Sequence, residues 1–249
     1  MAELNLDHIA SRLEGLEETI IHRLIDRAQW CVNEVAYAHG QSGFADEGLR
    51  SLFELRLWHH EEMDARFGRF CVPEERPFNE SLPEPQRSVN IPDTGLHIRD
   101  FDHVNFSDAV LASYRLLLPK ICKEGDDGQY GSSVEHDVYA VQAVARRLHY
   151  GALYVAESKY RSDPHGYAAL IKAKDKEALL AKLTRKEVED KIIARVKEKV
   201  KQVQAKVNKA VRVEVKPEPI IVYYKDFLIP MTKQGQILYL LNRESGNNG

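Results

Sequence analysis

The stretch that decides the fold is residues 146–160, which read RRLHYGALYVAESKY. Apolar and aromatic residues recur along it, which predicts one helix with a largely apolar body. Two cations, Arg147 and Lys159, interrupt that pattern near its ends. Because a cation inside a protein is costly unless an anion meets it, we predict that this helix helps to bind an anionic ligand.

The same helical periodicity continues over most of the chain and predicts an all-α fold. The expected helices cover residues 6–35, 47–67, 107–123, 133–161, 165–174, 175–183, 184–209, 220–229 and 231–243. A long proline-rich loop, residues 73–92, follows the second helix, and a capping box predicts a helix start at Thr184. The alternation in 212–216 leaves a short isolated strand open. We interpret residues 1–249 as a single multi-helix bundle domain with a frayed tail at about 244–249.

The bulk composition excludes several classes of protein. A net charge of −3 provides no basic field for nucleic acid, and no apolar run is long enough to span a membrane. The N-terminus has neither the basic nor the apolar region of a signal peptide. Three widely spaced cysteines, Cys31, Cys71 and Cys122, favour a reduced, cytoplasmic location.

Metal and cofactor motifs are weak or missing in the sequence. The run His59-His60-Glu61-Glu62 lacks the i, i+4 histidine spacing of a zinc helix. No glycine-rich phosphate loop, nucleophile elbow or catalytic triad pattern is present. The sequence therefore predicts no metal and no cofactor.

Two pairs of polar residues have the spacing of one helical turn. Arg185 and Glu189 share a face, as an ordinary surface ion pair or as part of a site. Thr232 and Gln236 form a polar pair beside apolar neighbours, either as a helix cap with a solvent-facing glutamine or as ligand-facing residues. Spacing alone leaves both questions open.

The order of these pieces resembles the chorismate mutases of the eukaryotic all-helical type. The resemblance covers most of the chain and is most distinctive in two motifs, 146–151 (RRLHYG) and 155–160 (VAESKY). It also includes the stretches 9–21, 170–175, 188–192, 229–233 and 239–241. It implies a homodimer without metal or organic cofactor that converts chorismate to prephenate.

The resemblance also implies a role for each matching residue. Arg147 grips one carboxylate of chorismate, and Lys159 meets the other carboxylate and the ether oxygen. Glu189 accepts from the substrate hydroxyl, Thr232 contacts a carboxylate, and Gln236 donates to the ether oxygen. Fungal members have glutamate at the last position, whereas glutamine donates at every pH. We therefore expect activity that is flat from mildly acidic to mildly alkaline pH.

Two departures from the family concern the catalytic cations. The family has an arginine on helix 1 where this chain has Ala10, and Arg12 lies roughly 200° around an ideal helix from that position. We name Arg12 and Arg185, which replaces an asparagine, as substrate-binding candidates. Lys159 follows Arg147 by twelve residues rather than the family's eleven, so we expect a π-bulge near Gly151 or Ala152.

A third departure concerns regulation. The effector site of fungal members uses an arginine pair and a Gly-Ser step, which correspond here to Gly68-Arg69 and Gly131-Ser132. Feedback control through Arg69, Gly131 and Ser132 is therefore doubtful. Two alternative functions stay open: a chorismate- or isochorismate-using lyase or weakened paralogue on the same fold, and a helical interaction protein without an active site.

Overall fold

The longest helix, α4 (Tyr130–Ser162), contains the two cations and lies at the centre of the fold. The computed structural model describes residues 4–45, 48–205 and 207–244. Its other α-helices are α1 (Leu6–Arg27), α2 (Leu52–Arg66), α3 (Ser107–Ile121), α5 (Pro164–Ala173), α6 (Lys176–Leu183), α7 (Lys186–Ala205), α8 (Pro217–Tyr223) and α9 (Ile229–Leu241). These residues form no β-strand, so the predicted all-α class is confirmed.

Helix α4 is central because its apolar positions cover several of its sides. Val134, Val138 and Val141 are buried on one side, whereas Ala140 and Leu153 are buried on other sides of the helix. Helices α1 and α9 make the most extensive contacts with α4, and α2 packs beside them. The three helices α1, α4 and α9 therefore define the walls between which a buried site can form.

Two glycines let α4 and α9 approach closely. A Cβ atom added at Gly235 would lie 2.5 Å from the Cβ atom of Ala152, and one added at Gly151 would lie 2.9 Å from Cγ2 of Thr232. Neither position has room for a side chain without separating the helices. The close packing holds Thr232 against the turn of α4 that carries Arg147.

Several helix ends differ from the sequence-based expectations. Helix α1 was expected to reach residue 35 but ends at Arg27. Beyond it, the amide of Val32 donates to the carbonyl of Lys123 at 3.0 Å, and Asn33 adopts a left-handed φ of 57°. Helix α2 begins at Leu52, where Ser51 and Glu54 form a capping box.

The predicted capping box at Thr184 is wrong. The hydroxyl of Thr184 donates back to the carbonyl of Leu180 at 2.8 Å, and α7 begins at Lys186. The break expected near residue 230 is also absent, because α8 and α9 are joined by a π-helical turn at Tyr224–Leu228. Residues 212–216 form no strand.

The π-bulge expected in the central helix is likewise wrong. Helix α4 continues as regular α-helix through Gly151 and Ala152. Arg147 and Lys159 therefore lie about 120° apart around the helix axis and about 18 Å apart along it. If they serve one site, the site must extend along α4.

The proline-rich loop has the extended, largely non-helical course that the sequence predicts. It is anchored by buried Glu61, whose carboxylate accepts from the amides of Phe78 and Asn79, each at 2.9 Å. Farther along, the amide of Phe106 donates to Nε2 of His149 at 3.0 Å. Burial lowers the pKa of His149 to about 3, so the ring stays neutral and accepts this bond.

The predicted tail lies mostly outside the described residues, which end at Glu244. The assignment of 1–249 to one domain stays a prediction. Within the described ranges, no helix is both long and apolar enough to cross a membrane.

Candidate active site

A cavity of about 310 Å³ lies between α1, α4, α7 and α9. The predicted site residues that line it are Arg147, Lys159, Arg185, Glu189, Thr232 and Gln236. Arg147 and Lys159 lie on helix α4, and Thr232 and Gln236 lie on α9. Arg185 lies at the α6–α7 junction, and Glu189 lies in the first turn of α7. The fold thus brings six side chains from three distant segments to one cavity.

Arg147 is held from two sides. Its Nη1 donates to the Thr232 hydroxyl at 2.9 Å, and its Nη2 lies 3.7 Å from Oε1 of Glu17. Glu17 is fully buried and accepts from both Nε and Nη2 of Arg195 at 2.9 Å. Glu17 therefore helps to position the Arg147 guanidinium. Because Glu17 also pairs with Arg195, it neutralises the charge of Arg147 only in part.

Lys159 enters the cavity farther along α4. Its ammonium donates to the carbonyl of Leu183, the last residue of α6, at 2.7 Å. Burial, together with the charges of Arg185 and Lys233, lowers the pKa of Lys159 to about 8, against the opposing charge of Glu189. An anionic ligand would stabilise the charged form and raise this pKa again.

Gln236 and Arg147 each present an unsatisfied polar atom in this buried region. The Gln236 amide nitrogen lies 3.3 Å from the carbonyl of Gly151, while its Oε1 has no partner among the described residues. Nε of Arg147 is also buried and unpartnered there. Because buried polar atoms in native proteins are almost always hydrogen-bonded, each of these two atoms could pair with a polar ligand.

The charge of the cavity matches a doubly charged anion. The cations that line it are Arg147, Lys159, Arg185 and Lys233. Against them stand two carboxylates, Asp7 and Glu189, which leaves a net charge of +2. A larger cavity of about 890 Å³ beside the proline-rich loop is lined by acidic side chains, Glu80 and Glu84 among them, and by no cation. A dianion is therefore favoured only in the smaller cavity.

The structure does not bring Arg12 into the cavity. Its guanidinium lies 5.3 Å from the centre of the Tyr150 ring and 3.4 Å from Oε1 of Glu74, on another side of α1. Ala10 lines the cavity instead. The two positions differ by two residues on a helix, which turns their side chains to nearly opposite sides. We therefore leave Arg12 out of the proposed site.

Within one chain, Arg69 lies apart from Gly131 and Ser132, the other residues that correspond to the family's effector site. Arg69 donates to Asp64 at 2.6 Å, to Glu75 at 2.9 Å and to Gln142 at 2.8 Å. Gly131 and Ser132 are exposed in the first turn of α4. Gln142 follows Ser132 by ten residues, or about 15 Å of helix. A role of these residues in feedback control stays a prediction.

Sequence reasoning missed two features of the site. Lys233 lines the cavity and donates to Glu189 at 3.0 Å. A ligand that donates to the same carboxylate oxygen would compete with this hydrogen bond. The Glu17–Arg195 pair behind Arg147 joins α1 to α7 across a gap of 178 residues. Its only sequence signal is the i, i+3 placement of Glu14 and Glu17, both of which contact Arg195. No cluster of three or more metal-ligating side chains is present in the described ranges.

Fold and cavity together define an all-helical protein with a cationic cavity between its helices. No family model matches the chain. It is 36% identical to chorismate mutase 1, chloroplastic, of Arabidopsis thaliana, over 96% of this chain and 74% of that protein. It is 34% identical to the chorismate mutase of Schizosaccharomyces pombe, over 97% of each chain.

A solved structure agrees with these relatives. The Aro7p chorismate mutase of Candida albicans, in complex with L-Trp, superimposes with a TM-score of 0.89 at 31% identity. The match covers 98% of this chain and 94% of that one. The chain belongs to the chorismate mutase family.

Proposed function

We propose that the protein is an enzyme that converts chorismate to prephenate, a step toward phenylalanine and tyrosine. The observation that carries the proposal is the convergence of Arg147, Lys159, Glu189, Thr232 and Gln236 on one cavity of net charge +2. Chorismate has two carboxylates, an enol ether oxygen and a hydroxyl. Each of these groups has a complementary partner in the cavity.

The reaction requires no nucleophile from the cavity. One carbon–oxygen bond of the ether breaks while a carbon–carbon bond forms within the same molecule, so no proton, electron or cofactor is exchanged. The protein has only to hold the compact conformer and to stabilise the negative charge that develops on the ether oxygen. Rigid cations and amide donors in a buried cavity suit both tasks.

The contacts suggest how the roles divide. Arg147 binds one carboxylate with Thr232 beside it, and Lys159 binds the other carboxylate and the ether oxygen. The Gln236 amide has two hydrogens, so it can keep its bond to Gly151 and donate the second hydrogen to the ether oxygen. Glu189 exchanges Lys233 for the substrate hydroxyl.

One assay tests the proposal against its alternatives. Chorismate consumption is followed with purified protein, and the product is identified by mass spectrometry. Prephenate supports the proposal, release of pyruvate indicates a lyase on the same fold, and the absence of turnover indicates a non-catalytic protein. An Arg147→Met variant prepared in parallel excludes a contaminating enzyme.

The pH dependence is expected to differ between the two kinetic constants. Gln236 needs no protonation, so kcat should be flat from mildly acidic to mildly alkaline pH. Lys159 is charged below its pKa of about 8 in the free protein and neutral above it, so kcat/KM should fall above this pH. In a Gln236→Glu variant, kcat itself should fall as the new carboxyl group ionises. Loss of wild-type kcat just above neutrality would contradict this assignment.

A homodimer is the assembly that we propose. Phe44, Leu49, Met63 and Phe67 lie on or beside α2 and are 57%, 79%, 56% and 67% exposed. Large apolar side chains left exposed on a monomer favour coverage by a partner. Light scattering on the purified protein should give twice the mass of one chain.

A cytoplasmic location stays a prediction, since the relative from Arabidopsis thaliana is named as chloroplastic.

A further inference from the structure

Helix α1 contributes no cation to the cavity. Its lining residues are Leu6, Asp7, Ile9, Ala10 and Leu13, which are apolar apart from one carboxylate. All four cations come from α4, α9 and the α6–α7 junction. A dianion bound in this cavity would therefore be neutralised by cations from the other walls.

Three of the four cations have partners among the described residues. Arg147 donates to Thr232, Lys159 to the Leu183 carbonyl, and Lys233 to Glu189. Arg185 makes no hydrogen bond or ion pair through its side chain within the described ranges. It is the cation of the cavity that is free to bind an incoming anion.

The backbone of Arg185 is fixed although its side chain is exposed. Its carbonyl accepts from the amides of Val188 at 3.0 Å and Glu189 at 3.1 Å, which starts α7. The guanidinium is thus attached at the positive end of a 20-residue helix, at the margin of the cavity. A fixed attachment and an exposed guanidinium, unpaired among the described residues, suit a residue that contacts a ligand at the margin of the cavity.

We propose that Arg185 binds one of the two substrate carboxylates at the mouth of the cavity, and so supplies from the α6–α7 junction the cation that the α1 wall lacks at Ala10. This inference rests on the proposed function for the identity of the anion. It assigns to Arg185 a share of substrate affinity that the buried cations do not provide. Ala10 is exposed to the cavity, so this wall has room for a longer side chain.

The electrostatics of Lys159 provide a second readout. The groups that act on its ammonium are Arg185, Lys233 and Glu189, together with the Leu183 carbonyl that it contacts. After burial, Arg185 is the largest of the influences that lower the pKa of Lys159. Removal of Arg185 should therefore move the alkaline fall of kcat/KM to higher pH, which a merely structural residue would not do.

The test is a cycle of substitutions at Arg185 and Ala10. Arg185→Asn should raise KM for chorismate about tenfold with a smaller effect on kcat, the size expected for a partly exposed charge-assisted contact. Arg185→Lys should retain part of the affinity. Ala10→Arg should restore most of the loss in the Arg185→Asn background and change the wild type much less.

A neighbouring cation serves as the matched control. Lys186 begins α7 but does not line the cavity, so Lys186→Gln should leave KM and the pH profile unchanged. Calorimetric titration with prephenate, which is also a dicarboxylate, measures the same contact without turnover. Its Kd should rise about tenfold in Arg185→Asn.

The outcomes separate this inference from the proposed function. If the wild type converts chorismate and Arg185→Asn changes neither KM nor prephenate affinity, the inference is overturned and the function stands. If the wild type binds prephenate through Arg185 without converting chorismate, the function fails and the inference about the anion survives. If it neither converts chorismate nor binds prephenate, both are wrong.

Discussion

Lys159→Met is expected to lower kcat/KM about a thousandfold while leaving the melting temperature unchanged or raising it. The Lys159 ammonium is the cation that the proposed mechanism directs at the breaking ether bond. A charge aimed at an atom that becomes negative only in the transition state contributes to kcat more than to KM. Methionine has nearly the same length and keeps the apolar packing of the lysine stem.

Stability is expected to respond in the opposite direction because the protein groups around Lys159 compensate its charge only in part. Burial and the neighbouring charges of Arg185 and Lys233 lower its pKa to about 8, which means that the folded protein disfavours the ammonium. Removing that charge removes an unfavourable contribution. Residues that a protein keeps for function at the expense of stability behave in this way.

Lys172→Met is the control for this experiment. Lys172 is exposed on α5 and lies outside the cavity, so its replacement should affect neither activity nor melting. Steady-state kinetics and thermal melting are measured on all three proteins. Turnover within tenfold of the wild type, or a melting temperature several degrees lower, would contradict the role given to Lys159.

The helices of the fold could largely be predicted because their signal is local. Periodicity located the centre of each helix, and the expected class is correct. The end of α1 could not be predicted, because it depends on contacts between Arg27 and Asp137, which are 110 residues apart. The Val32 amide is likewise bound to Lys123, on a segment that no helical pattern connects to α1.

The spacing argument about α4 failed for a similar reason. Twelve residues between Arg147 and Lys159 suggested a distorted helix, on the assumption that both residues project from one narrow face. The cavity instead extends along the helix, with Thr232 of α9 meeting Arg147 and the Leu183 carbonyl meeting Lys159. Two long side chains about 120° apart reach a cavity that is itself wider than one helical face.

Asp137→Asn is expected to destabilise the protein by about 3–5 kcal/mol, the largest stability effect that we predict for a single substitution. Arg27 and Asp137 form an ion pair at 2.6 Å whose side chains are both 0% exposed. The Asp137 carboxylate also accepts from the hydroxyls of Tyr37 and Tyr114, each at 2.6 Å. Asparagine keeps the shape but leaves a buried guanidinium without a counter-charge.

Arg27 cannot escape this loss by giving up its proton, because a guanidinium is not deprotonated in proteins. Burial is the largest single influence on its charge and opposes it, but Asp137 and the neighbouring Tyr37, Tyr114 and Cys122 together outweigh burial and hold the pKa of Arg27 above its ordinary value. Its guanidinium also donates to the carbonyls of Cys31 at 2.9 Å and Val32 at 3.0 Å, which hold the chain as it leaves α1. We therefore expect the Asp137→Asn transition in urea to remain cooperative but to shift to a much lower midpoint.

A surface pair provides the control. Arg56 and Glu135 lie 3.0 Å apart, but both side chains are more than one third exposed, so Glu135→Gln should cost less than about 1 kcal/mol. Comparable losses for Asp137→Asn and Glu135→Gln would show that burial of the Arg27–Asp137 pair is not the source of the effect.

The double variant Arg27→Met/Asp137→Leu distinguishes an uncompensated charge from lost hydrogen bonds. If the destabilisation of Asp137→Asn arises from the stranded guanidinium, removing both charges should recover stability relative to the single variant. If it arises from the tyrosine and backbone bonds, the double variant should be no better, because the Tyr114 hydroxyl and the Cys31 carbonyl then lose their partners too. The pair does not line the cavity, so KM for chorismate well below the melting temperature should be unchanged in every variant.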